Sequence, residues 1–165
     1  MEDDYWKDRS ELDYYRVACN YVKQYLCFGT VLDVGGAVGL GCTYLSRLPT
    51  FERTSVELSG GDCSLDGVNV IHKDFMAWDS VEVFDAVLCL QVLEHVPCPT
   101  EFATRLFSQA AQLVVISVPY CWPTTACAGH LHDPVDEQTL QQWTGRKPTR
   151  KRIVDRRLVA AYVLP

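Results

Sequence analysis

Apolar residues recur with two periods along this chain, and the alternation between them suggests its architecture. Leu12, Tyr15, Ala18, Cys19, Val22 and Leu26 stand at helical spacing and predict a helix over 10–27, with Ser10 placed to cap it and Phe28-Gly29 to end it. A short β-branched, apolar stretch follows, Thr30-Val31-Leu32-Asp33-Val34. After the glycines of 35–41, Cys42–Leu48 reads as a helix stopped by Pro49. Further strands are expected at Arg53–Leu58, Val68–His72, Phe84–Leu90 and Leu113–Val118. The run Phe84–Leu90 is apolar except at Asp85, as strands buried on both faces are. Helices are expected at Pro99–Gln112 and Glu137–Trp143, and a terminal hairpin at Lys151–Asp155 and Leu158–Leu164. Strands alternating with helices predict an α/β fold: a Rossmann-like three-layer sandwich with a mainly parallel sheet and a C-terminal antiparallel hairpin. Right-handed crossovers then place the active site beyond the carboxyl ends of the strands.

The 165 residues fit a single domain over 1–165. It would comprise an N-terminal helical cover (1–28), a cofactor-binding core (30–118), and a substrate loop with the terminal hairpin (119–165). No apolar run reaches the length of a membrane span, and the acidic start Met1-Glu2-Asp3-Asp4 is unlike a secretory signal, so a cytoplasmic, non-membrane protein is expected. Eight scattered cysteines without a C-x-x-C pair fit a reduced compartment. The net charge of −6 makes nucleic acid an unlikely partner. Seven bases do cluster at 146–157, against Asp155 alone. They read as a solvated hairpin face, with an anion- or RNA-binding patch as the alternative.

Candidate chemistry begins at the glycine turn, Val31-Leu32-Asp33-Val34-Gly35-Gly36-Ala37-Val38-Gly39-Leu40-Gly41. It lies between a strand and a helix, where glycines let a turn close tightly and a ligand approach the backbone. The spacing does not fit the dinucleotide pattern G-x-G-x-x-G. It resembles instead the first motif of class I S-adenosylmethionine-dependent methyltransferases, h-D-h-G-x-G-x-G, with Gly35 and Gly39 at its first and third glycines and Ala37 where the second is usual. Glu57-Leu58-Ser59 resembles the family's acid–hydrophobe–Ser pattern. Phe84-Asp85-Ala86-Val87 through Val92-Leu93-Glu94-His95-Val96 resembles its fourth-strand motif, F-D-x-V-x-x-x-x-V-L-E-H-V. The order and spacing from Val31 to Val118 follow the family, most closely its small-molecule and quinone-type (type 11-like) members.

The resemblance implies S-adenosylmethionine as cofactor, with S-adenosylhomocysteine as product. Its site would include Asp33, Gly35, Gly36, Ala37 and Gly39, with Glu57 gripping the ribose hydroxyls and Leu58 beside it. Asp74 would accept the adenine amine, Phe75 would cover the ring, and Gln91 would line the pocket. The implied reaction is methyl transfer to an O or N nucleophile of a small-molecule acceptor. The protein would mainly orient the partners, and a hydroxyl acceptor would benefit from a general base. The loop after the fifth strand supplies candidates. His130 and His132 could act as base and, in extended chain, would point the same way. Tyr120 and Trp122, with Tyr15 from the N-terminal helix, could wall the acceptor pocket, and Arg16 could pair the methionine carboxylate. Glu94 and His95 read as structural residues of the strand-to-helix turn. Cys121, Cys127, His130 and His132 have an uncommon spacing for zinc ligands, so no metal is expected. Two alternatives stand beside the small-molecule enzyme: a domain acting on protein or RNA, and a non-catalytic binding domain, which Ala37 alone favours. A monomer or homodimer fits either way.

Overall fold

The computed structural model describes residues 12–36, 40–58, 60 and 65–165, the side chains of Leu40 and Gly41 excepted. Its elements are α1 (Asp13–Tyr25), β1 (Gly29–Val34), a 3-10 segment (Leu40–Arg47), β2 (Phe51–Glu57), β3 (Val68–His72), β4 (Phe84–Leu90), a 3-10 turn (Leu93–His95), α2 (Pro99–Ser108), β5 (Ala110–Pro119), α3 (Glu137–Thr144), β6 (Arg150–Val154) and β7 (Arg157–Val163). The strands form one seven-stranded sheet in the order β3-β2-β1-β4-β5-β7-β6. The first five pair in parallel; β7 runs antiparallel to both β5 and β6. This is the expected mainly parallel sheet with its terminal hairpin. Order reverses between β1 and β4, the place where open α/β sheets leave a crevice beyond the strand ends.

Neighbouring residues along each strand feed opposite faces. Val31, Ala86, Leu88, Val115 and Ala161 pack under α1 and the 3-10 segment with Tyr14, Tyr15, Tyr44 and Leu45. Leu32, Val34, Val87, Cys89, Val114 and Ile116 pack on the other face with Phe102 and Leu106 of α2 and Leu140 of α3. Burying each large apolar side chain contributes about 1.5–3 kcal/mol, which is why the central strands are apolar on both sides.

Two expected helices are corrected. The helix expected over 99–112 stops at Ser108, because Gln109 turns the chain and Ala110 pairs with Phe84 in the sheet. The alanines at 110–111 suit a helix, but the strand's hydrogen bonds prevail. The segment after the glycine turn is 3-10 rather than α-helical. The connection from β3 to β4 holds no α-helix; Phe75 and Trp78 fill that part of the core instead. Cys42 is disulfide-bonded, against the expectation of an all-thiol chain, whereas Cys19, Cys27, Cys89, Cys98, Cys121 and Cys127 are free.

The terminal hairpin turns at Asp155-Arg156, both with positive φ (48° and 57°), a two-residue turn whose twist suits the strands it joins. Asp155 also accepts a hydrogen bond from the Asp13 N–H (3.2 Å), so the hairpin satisfies a free amide at the start of α1. The basic cluster is the face of this hairpin. Arg150, Lys151 and Arg152 lie exposed on the edge strand, where charge discourages further strand pairing. Lys151 pairs with Glu137, Arg146 lies over Phe107, and Arg157 over Tyr14. Among the described residues no helix is long and apolar enough to cross a membrane.

Candidate active site

A crevice of about 500 Å³ opens at the carboxyl ends of the strands beside the β1–β4 reversal. Gly35 of the first turn, Leu58, Asp74, Phe75, Val92 and His95 are among the residues bordering it. The turn is built tightly. Gly35 has φ +72°, its N–H donates to the Val56 carbonyl (2.9 Å), and a Cβ there would lie 2.6 Å from Val92 Cγ2. A Cβ on Gly36 would fall 1.6 Å from Asp33 Oδ2. The Asp33 carboxylate thus leans over the turn, fully buried, with the Tyr44 hydroxyl as its nearby donor. Burial pushes its pKa up to about 8; the Tyr44 hydroxyl opposes this and nearby Glu57 adds to it.

Glu57 ends β2 and is 6% exposed, adjacent to the crevice but not among its walls; its neighbour Leu58, 79% exposed, lines it. Asp74 lines it too, one carboxylate oxygen accepting from the Met76 N–H (2.9 Å) and so holding the loop. Phe75 is buried, stacked at a tilt on Phe102 (5.0 Å) beneath the Arg105 guanidinium. Gln91 has φ +60° and is held by Ser117, its amide donating to the Ser117 hydroxyl (3.0 Å). Ala37 and Gly39 lie outside the described residues.

The loop after β5 packs against the turn that follows β4, next to the crevice but not among its lining residues. Trp122 donates its indole N–H to the Arg156 carbonyl (2.9 Å) and stacks on His130 at 5.7 Å, under the guanidinium groups of Arg156 and Arg157. Tyr120 is fixed by its own N–H to Arg156 O (2.9 Å) and packs on the α2 side of the core. Tyr15 stacks on Tyr44 (4.3 Å) inside the α1 core, and Arg16 pairs with Asp13 at the surface. The two histidines part company, because the segment bends rather than extends. His130 sits 2.5 Å from Asp133 Oδ2 through Nδ1, with both side chains almost wholly buried. His132 meets the Val96 carbonyl through Nε2 (2.8 Å) and packs edge-on to Trp143.

Two residues set aside as structural join His130. Glu94 is fully buried, and among the described residues no other group donates to its oxygens; burial raises its pKa to about 8, its own backbone N–H and Arg157 opposing and Asp133 adding. His95 meets the Gly129 carbonyl through Nδ1 (2.9 Å) and faces Glu94 Oε1 through Nε2 (3.9 Å). The Leu131 N–H donates to the Glu94 carbonyl (2.8 Å), tying the loop to this turn. In the sequence the only traces of the cluster were the Glu94-His95 adjacency and an Asp three positions after His130.

A family described as a methyltransferase domain matches residues 12–157. No curated protein matches the chain. Solved structures do, at low identity. The 1,6-didemethyltoxoflavin-N1-methyltransferase of Burkholderia thailandensis, solved with 1,6-didemethyltoxoflavin and S-adenosylhomocysteine, has a TM-score of 0.75 at 17% identity over 98% of this chain and 81% of its own. The N-methyltransferase NodS of Bradyrhizobium japonicum WM9, also with S-adenosylhomocysteine, has a TM-score of 0.70 at 17% identity over 96% and 87%. Magnesium protoporphyrin IX methyltransferase of Synechocystis PCC 6803 has 0.69 at 13% over 94% and 84%. Sheet order, crevice and family match agree, and the chain belongs to the methyltransferase domain family, the class I S-adenosylmethionine-dependent enzymes.

Proposed function

We propose that this protein transfers a methyl group from S-adenosylmethionine to a nitrogen or oxygen nucleophile of a small-molecule acceptor. The observation that carries the reading is the crevice itself, with a tight glycine turn on one wall and Asp74-Phe75 on another. Each end suits one part of the cofactor. Asp74 has an oxygen not used by Met76 to accept an adenine amine, and Phe75, Val92 and Val96 give the ring an apolar slot. Glu57, at the end of β2 beside the crevice, is our candidate for holding the ribose hydroxyls. Asp33 and Gly36 suit the cationic methionine portion, since a carboxyl whose ionised form is disfavoured by burial gains from a nearby positive charge. When bound, the cofactor supplies the sulfonium methyl as electrophile.

The chain's own residues then orient the acceptor and dispose of its proton. A carboxylate only accepts, so His130 Nδ1 carries the proton toward Asp133 and its Nε2 keeps a lone pair. His130 is therefore the residue set to take a proton from the acceptor, and Trp122 beside it offers a flat apolar wall. His132, engaged with Val96, has no such role in this reading. Two of the structural neighbours are named as N-methyltransferases, one of them solved with the small molecule 1,6-didemethyltoxoflavin, which supports the acceptor class.

Calorimetry with S-adenosylhomocysteine and with NAD tests the proposal. Micromolar binding of the former alone is expected, most of it lost in Glu57→Ala. Binding of NAD without S-adenosylhomocysteine would overturn it.

A further inference from the structure

We propose that Glu94, His95 and His130 bind a divalent first-row transition-metal cation beside the crevice, at its His95 edge. One ligand atom from each residue lies within 4.8 Å of the other two. Around zinc, ligands at about 2.0–2.2 Å in tetrahedral array stand roughly 3.4 Å apart. The Glu94 Oε1 to His95 Nε2 separation is 3.9 Å, so small side-chain movements would bring the set to bonding distance.

The protonation pattern makes the cluster more than a coincidence of ligand types. His95 Nδ1 faces the Gly129 carbonyl, which can only accept, so that nitrogen carries the proton and Nε2 a lone pair. His130 is set in the same way by Asp133. The His95 lone pair and the buried Glu94 carboxylate therefore face each other, with a ring nitrogen of His130 within 4.8 Å, and among the described residues no other group donates to Glu94. Such a group of acceptors is held together by a proton shared between them or by a metal cation, and the outer partners favour the cation. Metal-bound histidines characteristically donate their other ring N–H to a carboxylate or a backbone carbonyl, and both arrangements are present here. Two histidines and one carboxylate form a frequent ligand set of open metal sites, with positions left for water or substrate. His95 is about half exposed and borders the crevice, which gives the ion a path in and leaves an open position toward the acceptor.

This deepens the reading above and rests on it only for what the ion would do. An acceptor hydroxyl coordinated there would ionise more readily, its proton passing to solvent through the open crevice rather than to His130. His130 would then ligate through the lone pair that otherwise takes the proton.

The test uses the full chain, freed of metal by a chelator and titrated with Zn(II) in a calorimeter and with Co(II) in a spectrophotometer. Saturable binding of one ion per chain is expected, with the visible bands of a nitrogen- and oxygen-ligated Co(II). Glu94→Gln and His95→Gln should each abolish those bands, and Asp133→Asn should weaken binding about 10–100-fold, as loss of an outer partner does elsewhere. His132→Asn should leave binding unchanged. His95 is half exposed, so its variant reports even if substitution at Glu94 impairs folding. No Co(II) bands in the wild type, or equal binding by His95→Gln, would overturn the proposal and leave a shared proton to hold the cluster together. S-adenosylhomocysteine binding on the same samples separates the outcomes. Its loss with metal binding intact sinks the methyl-donor reading alone, and the reverse sinks the metal site alone.

Discussion

Replacing Gly35 with alanine separates two costs that a glycine turn usually merges. The first is conformational: at φ +72° a residue with a Cβ pays about 1–2 kcal/mol. The second is steric, since the new methyl would lie 2.6 Å from Val92 Cγ2, and overpacking of this kind costs about 1–3 kcal/mol. Together they predict a loss of about 2–5 kcal/mol. Gly145 is the natural control. It ends α3 at φ +63°, yet a Cβ there meets nothing within 4 Å, so Gly145→Ala should show the conformational cost alone, about 1–2 kcal/mol. Urea titrations of the two variants measure both, and each kcal/mol corresponds to about 2–4 °C in Tm for a domain of this size. Adding Val92→Ala to Gly35→Ala should recover part of the steric cost, through coupling of two touching residues. Equal losses for Gly35→Ala and Gly145→Ala, with no recovery on trimming Val92, would refute the claim that the turn is clamped against the residue after β4.

Three further outcomes follow from named groups. Asp33 is buried with its pKa raised to about 8 from the usual 3.8, so the folded state holds the proton more tightly than the unfolded chain. Its favourable contribution is complete below about pH 4 and is lost as pH rises to about 8; Asp33→Asn should flatten that decline in urea titrations between pH 5 and 9, and a parallel decline would show Asp33 is not its source. Asp136 caps α3, accepting the Thr139 N–H (2.7 Å), so Asp136→Ala should lower stability by about 0.5–2 kcal/mol while metal and S-adenosylhomocysteine binding hold; a loss of either ligand would link the helix to the site. Thiol labelling with a disulfide reagent should modify exposed Cys27, Cys98 and Cys121 quickly. Cys19, whose thiol burial pushes up to about 12, and buried Cys89 should react only on unfolding, and prompt labelling of either would show the core opens.

The region bridging the sheet to the loop also explains why function is hard to assign from single residues. Asp85 accepts from the Thr30 N–H (2.8 Å) and from Gln112 (2.9 Å), so the acid that interrupts an apolar strand is a staple between strand ends. The motif that carried the strongest family resemblance thus mixes packing, stapling and site residues within thirteen positions.

Sequence alone determined the order of elements, the parallel sheet and the hairpin. Those features rest on local periodicity and on a glycine turn between strand and helix, and both are written in neighbouring residues such as Val31–Gly36 and Phe84–Leu90. Tertiary structure decided the rest. The end of α2 depended on Ala110 finding Phe84 in the sheet, a contact across 26 residues. Tyr15, a candidate for the acceptor wall, went to the core because Tyr44 stacks on it. Only the folded loop could show that His130 turns to Asp133 while His132 turns to Val96, and that Glu94 and His95 wait opposite. Spacing fixes which side chains share a strand or a helix face; a cluster drawn from a turn and a loop some 35 residues apart has no period to reveal it.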